Sequence, residues 1–465
     1  MGARFDNFKE KIEEFKVKRF LSAASYILSH ASDKKIIQML NFVKAAAPED
    51  DKPKFELVIN AFKKKHPSLL LAKRAIKNTN KNCRKKAIIN LIGGFALNAK
   101  KSEKIEKKEG FRAPVTVLIS PTMRCNLRCR GCYASNYSRE DDLPLQTIDR
   151  VITEAKELGV CFFTMLGGEP FIRKDMIKIY SKHNDAYFQV YTNGTLINEN
   201  AAKMLVKLGN VIPMISIEGF EKETDSRRGK GVYDKIIKAM EILKKYKVPF
   251  GISCCVERSN VETILSDEFI DMIIKKGALV GWLFLYMPVG EDPSLQRMPT
   301  PKQRIWMLKR VNELRNTKPI FLIDFWNDAP HVSGCIAGKS YIHITSKGDV
   351  EPCIFTHFAV DNVKNKSLKQ ALNSGFFKEI RKRQPFNKNL FMPCMWIDNP
   401  KVGREIHKIC SPYPTHPGAD KCLKDAKIRK GIDKYAKEIS RLYGPVWKKY
   451  EEERIKRQGL KAQKF

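Results

Sequence analysis

The middle of this chain predicts an α/β fold built on a parallel sheet, with a basic helical region before it and a small cysteine-rich region after it. Between about residues 113 and 290, six apolar runs read as strands: Val115–Pro121, Cys161–Gly167, Ala186–Thr192, Val211–Ile217, Pro249–Val256 and Gly281–Met287. Helical patterns separate them at about 145–158, 174–184, 198–208, 233–246 and 260–276. Strands separated by helices pair in parallel through right-handed crossovers. Glycines and polar residues gather just after the runs, where α/β folds collect ligands. The loop after the first run carries three cysteines, Cys125, Cys129 and Cys132. Six units are too few for a complete eight-unit barrel, so a partial barrel and an open sheet both fit.

At 465 residues the chain is long enough for two or three domains with good cores. Lys and Arg number 86 and Asp and Glu 51, a net charge of +35. That excess reads either as an anionic partner (nucleic acid, an acidic membrane, a phosphorylated substrate) or as a solvated lysine-rich surface. The 12 cysteines without a signal-peptide pattern predict a reducing, cytoplasmic setting. No run approaches the ~18 consecutive apolar residues that a spanning helix needs.

Residues 1–110 read as a basic helical domain and linker. Phe5, Phe8, Ile12, Phe15, Phe20, Leu21 and Ala24 recur at helical spacing, as do Ile36, Leu40, Phe42 and Val43, then Phe55, Val58, Ile59 and Phe62. Pro48, Pro53 and Pro67 mark helix starts. The pieces predict a bundle of four or five helices. Leu69–Ile76 and Ala87–Leu97 combine apolar residues with Lys73, Arg74, Lys77, Arg84, Lys85 and Lys86. Such helices pack an apolar face in a bundle core or lie peripherally on an anionic membrane. The charged run Lys100–Lys108 reads as a solvated linker.

The cysteine loop names the chemistry. Soft thiolates in a short loop select zinc, copper or iron-sulfur centres. A structural zinc site closes with four ligands, whereas Cys125-Asn126-Leu127-Arg128-Cys129-Arg130-Gly131-Cys132 offers three and no His. Three thiolates leave one iron of a cubane cluster open to a small chelating molecule, which makes the site a reaction centre. Its Pro121, Asn126, Gly131 and arginine content is unlike a core segment.

This spacing after a first strand resembles the radical S-adenosylmethionine (radical SAM) superfamily. The resemblance implies a partial (β/α)6 TIM-like barrel, a 4Fe-4S cluster on the three thiolates, and S-adenosylmethionine chelating the open iron. It further implies reductive cleavage to methionine and a 5'-deoxyadenosyl radical that takes hydrogen from a substrate. Gly131 stands where the family often has an aromatic residue. Gly167-Gly168-Glu169-Pro170 resembles the family's GGEP motif, so Glu169 would carry the amino group of S-adenosylmethionine. Thr192-Asn193-Gly194-Thr195 resembles its TNG motif, and Ser216-Ile217-Glu218-Gly219 its S-x-D-G motif, with Glu218 for the usual Asp. Asp225, Arg228 and Gly229 match its D-x-x-R-G pattern. Ser216 and Arg228 would help hold the carboxylate and ribose.

The barrel region is assigned 111–300. Residues 301–423 form a bridge and extension, and the aromatic and acidic stretch Phe325–Asp328 reads as packing, with the lining of a substrate pocket as the alternative. Cys335 and Gly348-Asp349-Val350-Glu351-Pro352-Cys353 resemble the opening of the SPASM or shorter twitch extension, a hairpin module holding auxiliary clusters. Tyr341–Thr345 and Val350–Phe355 read as that hairpin, followed by a helix at Leu368–Leu372. The later cysteines Cys394, Cys410 and Cys422 are far apart. One auxiliary 4Fe-4S cluster on Cys335, Cys353, Cys394 and either Cys410 or Cys422 is expected, with zinc as the alternative. Cys83, Cys161, Cys254 and Cys255 read as packed thiols. Residues 424–465 read as a basic helical tail docking on the N-terminal bundle.

The catalytic residues beyond the cluster ligands are not named by these patterns. The resemblance implies a reductase or ferredoxin as electron donor and a peptide or protein substrate. The charge excess points to an anionic lipid, or less well to RNA, because aromatic platforms between the basic residues are sparse. A non-catalytic iron-sulfur protein for electron transfer or scaffolding is the alternative from a different class.

Overall fold

The computed structural model describes residues 31–46, 52–290 and 293–458. Phe5, Phe8, Ile12, Phe15, Phe20, Leu21, Ala24 and Pro48 lie outside them.

Six strands form where expected: β1 (Thr116–Thr122), β2 (Phe162–Gly167), β3 (Tyr187–Thr192), β4 (Val211–Ser216), β5 (Gly251–Val256) and β6 (Val280–Leu285). Three more were not expected in the sheet: β7 (Phe321–Asp324), β8 (Tyr341–Ile344) and β9 (Val350–Glu351). The sheet runs β7-β6-β5-β4-β3-β2-β1-β8-β9. Each neighbouring pair from β7 to β8 is parallel and only β9 runs antiparallel. β1 is almost wholly buried on both faces, as a helix-covered parallel strand should be. The curled sheet is a partial barrel.

The covering helices owe their positions to periodic apolar residues and to caps. The helix at Leu145–Glu157 buries Ile148, Val151, Ile152 and Ala155, a stripe on one face. Asn198 and Ser266 accept from backbone N–H groups three residues on, and Thr300 with Gln303 forms a capping box. An additional helix at Glu221–Arg228 has no apolar stripe and left no periodic trace.

Among the described residues the N-terminal helices do not form a free-standing bundle. Those at Pro67–Lys77 and from Lys81 to Glu109 pack across the amino ends of the strands and close the barrel floor. Arg74 donates to the carbonyls of Ile274, Ala278 and Pro319, Asn82 to those of Val206 and Lys207, and Asn90 to those of Asn184 and Ala186. Phe95 meets Phe162 at 6.1 Å, and Cys161 fits against Gly94. The run Lys100–Lys108 is the end of this helical stretch, not an open linker, and Gly110 ends it with φ +72°.

The tail helix Ala426–Gln458 also docks elsewhere than expected. Tyr435 donates to the Pro299 carbonyl, Tyr443 to the Asn327 side chain, and Phe391 packs on Tyr443 and Trp447. It therefore braces the bridge helix Pro301–Thr317 and the extension, where Arg304 and Asp398 form a fully buried ion pair at 2.6 Å. Among the described residues no helix is long and apolar enough to cross a membrane.

Candidate active site

The loop after β1 is held by its neighbours. Gly168 N–H donates to the Thr122 carbonyl and Glu169 N–H to that of Arg124, so the β1 and β2 loops run side by side. A Cβ on Gly168 would stand 2.2 Å from the Arg124 oxygen, and Gly167 has φ +105°, so both positions require glycine. Asn193 donates to the Asn126 side chain at 2.8 Å, and Asn126 in turn donates to Thr195 at 2.8 Å. The T-N-G-T turn thus pins the cysteine loop, with Asn193 Nδ2 3.8 Å from Cys125 Sγ.

A cavity of about 260 Å³ opens at the carboxyl ends of the strands. Its wall contains Cys125, Cys129 and Cys132, and also Gly167, Gly168, Asn193, Ser216 and Arg228. Glu169 is the exception among the expected ligand residues. It is fully buried and outside the cavity wall, accepting from Phe171 N–H, Thr192 Oγ1 and Asn193 N–H. Burial pushes its carboxyl up to about 6 against those three donors.

Positive charge is concentrated beside the thiols. Glu218 Oε1 accepts from Arg227 Nη1 at 2.9 Å and Arg228 Nε at 3.0 Å, while Oε2 accepts from Cys255 N–H. Arg227 reaches on to Glu257, which also holds Arg297. Arg228 Nη1 lies 3.9 Å from Cys129 Sγ, and burial pushes the thiols of Cys125 and Cys132 up while Arg227 and Arg228 pull Cys132 down. Three soft donors on one wall beside two arginines fit a net-negative iron-sulfur cluster. Among the described residues no trio of His, Cys, Asp or Glu closes on a single metal ion.

Gly131 is explained by its surroundings. A Cβ there would meet Arg297 Nη1 at 2.0 Å and the Tyr286 ring at 2.8 Å. Arg297 lies 4.7 Å from the Tyr286 ring centroid, donates to the Arg130 carbonyl, and keeps Nη1 buried without an acceptor. An arginine and a tyrosine from distant segments fill the place of a side chain at 131.

A second cavity, of about 570 Å³, contains Cys335, Cys353 and Cys394 in its wall. Tyr341 donates to Cys353 Sγ at 2.7 Å, and Trp396 N–H to Cys394 Sγ at 3.4 Å. Burial pushes Cys335 up to about 12 and Cys353 up to about 11. The fourth thiol expected from Cys410 or Cys422 is not in this wall. Cys410 ends the helix Pro400–Cys410 with Sγ toward the Gly375 carbonyl, and Cys422 turns back to the Ala419 carbonyl. Helix geometry directs both away. Cys83 and Cys161 are packed thiols as expected, whereas Cys254 and Cys255 reach the first cavity.

Arg227, Glu257, Arg297, Trp282 and Phe284 join the site without having been marked in the sequence. Arg227 lies within the D-x-x-R-G match and alternation along β6 marks Trp282 and Phe284, but nothing local marks Arg297.

Comparison with known proteins agrees with this geometry. Residues 119–269 match the model of the radical SAM superfamily and residues 335–395 that of the SPASM iron-sulfur cluster-binding domain. The AdoMet-dependent heme synthase of Methanosarcina barkeri is 25% identical over 299 residues, 58% of this chain and 85% of the relative. The PqqA peptide cyclase of Granulibacter bethesdensis is 26% identical over 261 residues, 52% of this chain and 67% of the relative. Streptococcus suis SuiB bound to its precursor peptide SuiA superposes with a TM-score of 0.52 at 20% identity, covering 62% of this chain and 72% of SuiB. The chain carries a radical SAM domain and a SPASM iron-sulfur cluster-binding domain. It is a radical SAM enzyme, with a 4Fe-4S cluster and S-adenosylmethionine as cofactors and auxiliary iron-sulfur binding in the extension.

Proposed function

We propose that this enzyme modifies a peptide or protein by hydrogen abstraction in the cavity at the strand ends. The observation that carries this reading is one cavity whose wall holds the three thiols at one end and the strand-end motifs beside them. When bound, the cluster and S-adenosylmethionine supply a 5'-deoxyadenosyl radical. Cys125, Cys129 and Cys132 would hold the cluster, and Arg227 and Arg228 balance its charge. Gly167 and Gly168 would let the backbone approach S-adenosylmethionine, and Ser216 and Arg228 would help hold its carboxylate and ribose. Glu169, buried behind the wall, would act through the Asn193 turn that it holds.

Cys335, Cys353 and Cys394 would hold one auxiliary cluster behind the aromatic residues that line both cavities. A one-electron donor of the ferredoxin or reductase class would supply the reducing electron. The names of two similar proteins, a peptide cyclase and an enzyme solved with its precursor peptide, favour a peptide.

Anaerobic reconstitution tests the reading. About four irons per chain are expected from the first site and about eight with the second, with 5'-deoxyadenosine formed on dithionite reduction. If the triple Cys125→Ala, Cys129→Ala, Cys132→Ala variant keeps that activity, the assignment is wrong.

A further inference from the structure

We infer that the part of the substrate held in the reaction cavity is an uncharged, flat aromatic ring lodged against Trp282 and Phe284. This rests on the cavity being the reaction chamber, and it adds the chemical class of the group that enters.

Charge in the wall is one-sided. Among the described residues, Arg227 and Arg228 are its only charged ones, and Glu218 already engages both at the cluster end. No carboxylate or ammonium of the described residues lines the rest of the cavity. An ionised group entering there would lose its hydration with no partner in return. The polar groups deeper in are neutral: the hydroxyls of Thr116 and Thr164, 3.3 Å apart, the buried Gln189 amide and Ser253. They suit a phenol, an indole N–H or an amide.

The shape is equally particular. Trp282 and Phe284 alternate along β6 and so project to the same side, with planes 2° apart and centroids 5.6 Å apart. Phe325 leans on Phe284 at 5.1 Å, and Tyr191 meets it edge-on at 5.9 Å. Parallel faces with edge-on neighbours match the stacking preferences of a flat ring, and a flexible aliphatic chain gains less from them. Trp282, Phe325, Tyr341 and Phe355 also line the second cavity, so this aromatic wall lies between the two thiol sets.

The test uses the full chain, anaerobically reconstituted and loaded with S-adenosylmethionine, and calorimetric titration with small probes. Indole and 4-methylphenol are expected to bind at least about tenfold more tightly than benzylammonium, 4-methylbenzoate or cyclohexylmethanol. Trp282→Leu and Phe325→Leu should each weaken 4-methylphenol about tenfold, with a thermal melt confirming that each variant is folded. Equal or tighter binding of the charged or cyclohexyl probes overturns the inference, and so does unchanged binding in both folded variants. If the rings bind but no peptide is ever consumed, the peptide reading fails and the inference stands. If peptides are modified only at aliphatic or charged residues and the rings do not bind, the inference fails and the peptide reading stands.

Discussion

Arg228 directs its Nε to the same Glu218 oxygen, Oε1, that takes Arg227, while its Nη1 points at Cys129 Sγ 3.9 Å away. One carboxylate therefore fixes the positive wall of the cluster loop. The longer reach of Glu over the usual Asp lets its other oxygen accept from Cys255 N–H on β5. Burial alone would raise the Glu218 carboxyl, yet the two arginines beside it hold it below its ordinary value.

Removing that charge should be costly. Glu218→Gln leaves two buried guanidiniums undercompensated, and a loss of about 3 kcal/mol or more is expected. Denaturant unfolding of the wild type and variant measures it. A difference below about 1 kcal/mol would mean that the arginines find water or another acceptor.

Gly168→Ala should act on the cluster loop. The added methyl meets the Arg124 backbone oxygen, which is not the yielding end of a flexible side chain, so the loop must shift. Iron and sulfide content after reconstitution should fall by about half if the auxiliary site still loads. Retention of full iron would show that the loop absorbs the change.

The five cysteines of the extension should separate into two groups. Cys335→Ser, Cys353→Ser or Cys394→Ser should each remove the auxiliary iron, about half of the total. Cys410→Ser and Cys422→Ser should leave iron unchanged, because neither thiol faces the second cavity. Iron loss in either of these two would restore the four-thiol set.

Acid should weaken the fold through His357. Burial, the largest effect, depresses its imidazole to about 4 despite Glu351 nearby, and it shares a hydrogen bond with His416. Between pH 6.5 and about 4 the unfolded chain takes up the proton and the folded one does not. The contribution is complete above pH 6.5 and is lost as pH falls through about 4, on the order of 3 kcal/mol. Stability measured across this range should fall less steeply in His357→Gln.

The six barrel strands were legible because each is a short run of β-branched or aromatic residues ended by glycine or a polar cluster. The cysteine triad was legible because its ligands are local. What escaped depends on distance or lacks a pattern. β7 is only four residues long, and the helix Glu221–Arg228 has no apolar stripe to read. Arg297 meets Gly131 only through the fold. The hairpin of the extension was legible, but not that β8 would pair with β1, since a strand's own residues do not name its partner.

That pairing governs how the molecule can move. Thr116 to Ile119 stand in register with Tyr341 to Ile344, so extension and barrel share one backbone ladder. A swinging cover would have to unzip those bonds, and Ser120 is further tied to the buried His343–Glu351 pair. The spacing of the two thiol sets is thereby a constant of the weave. Any electron that crosses between them would travel a fixed gap.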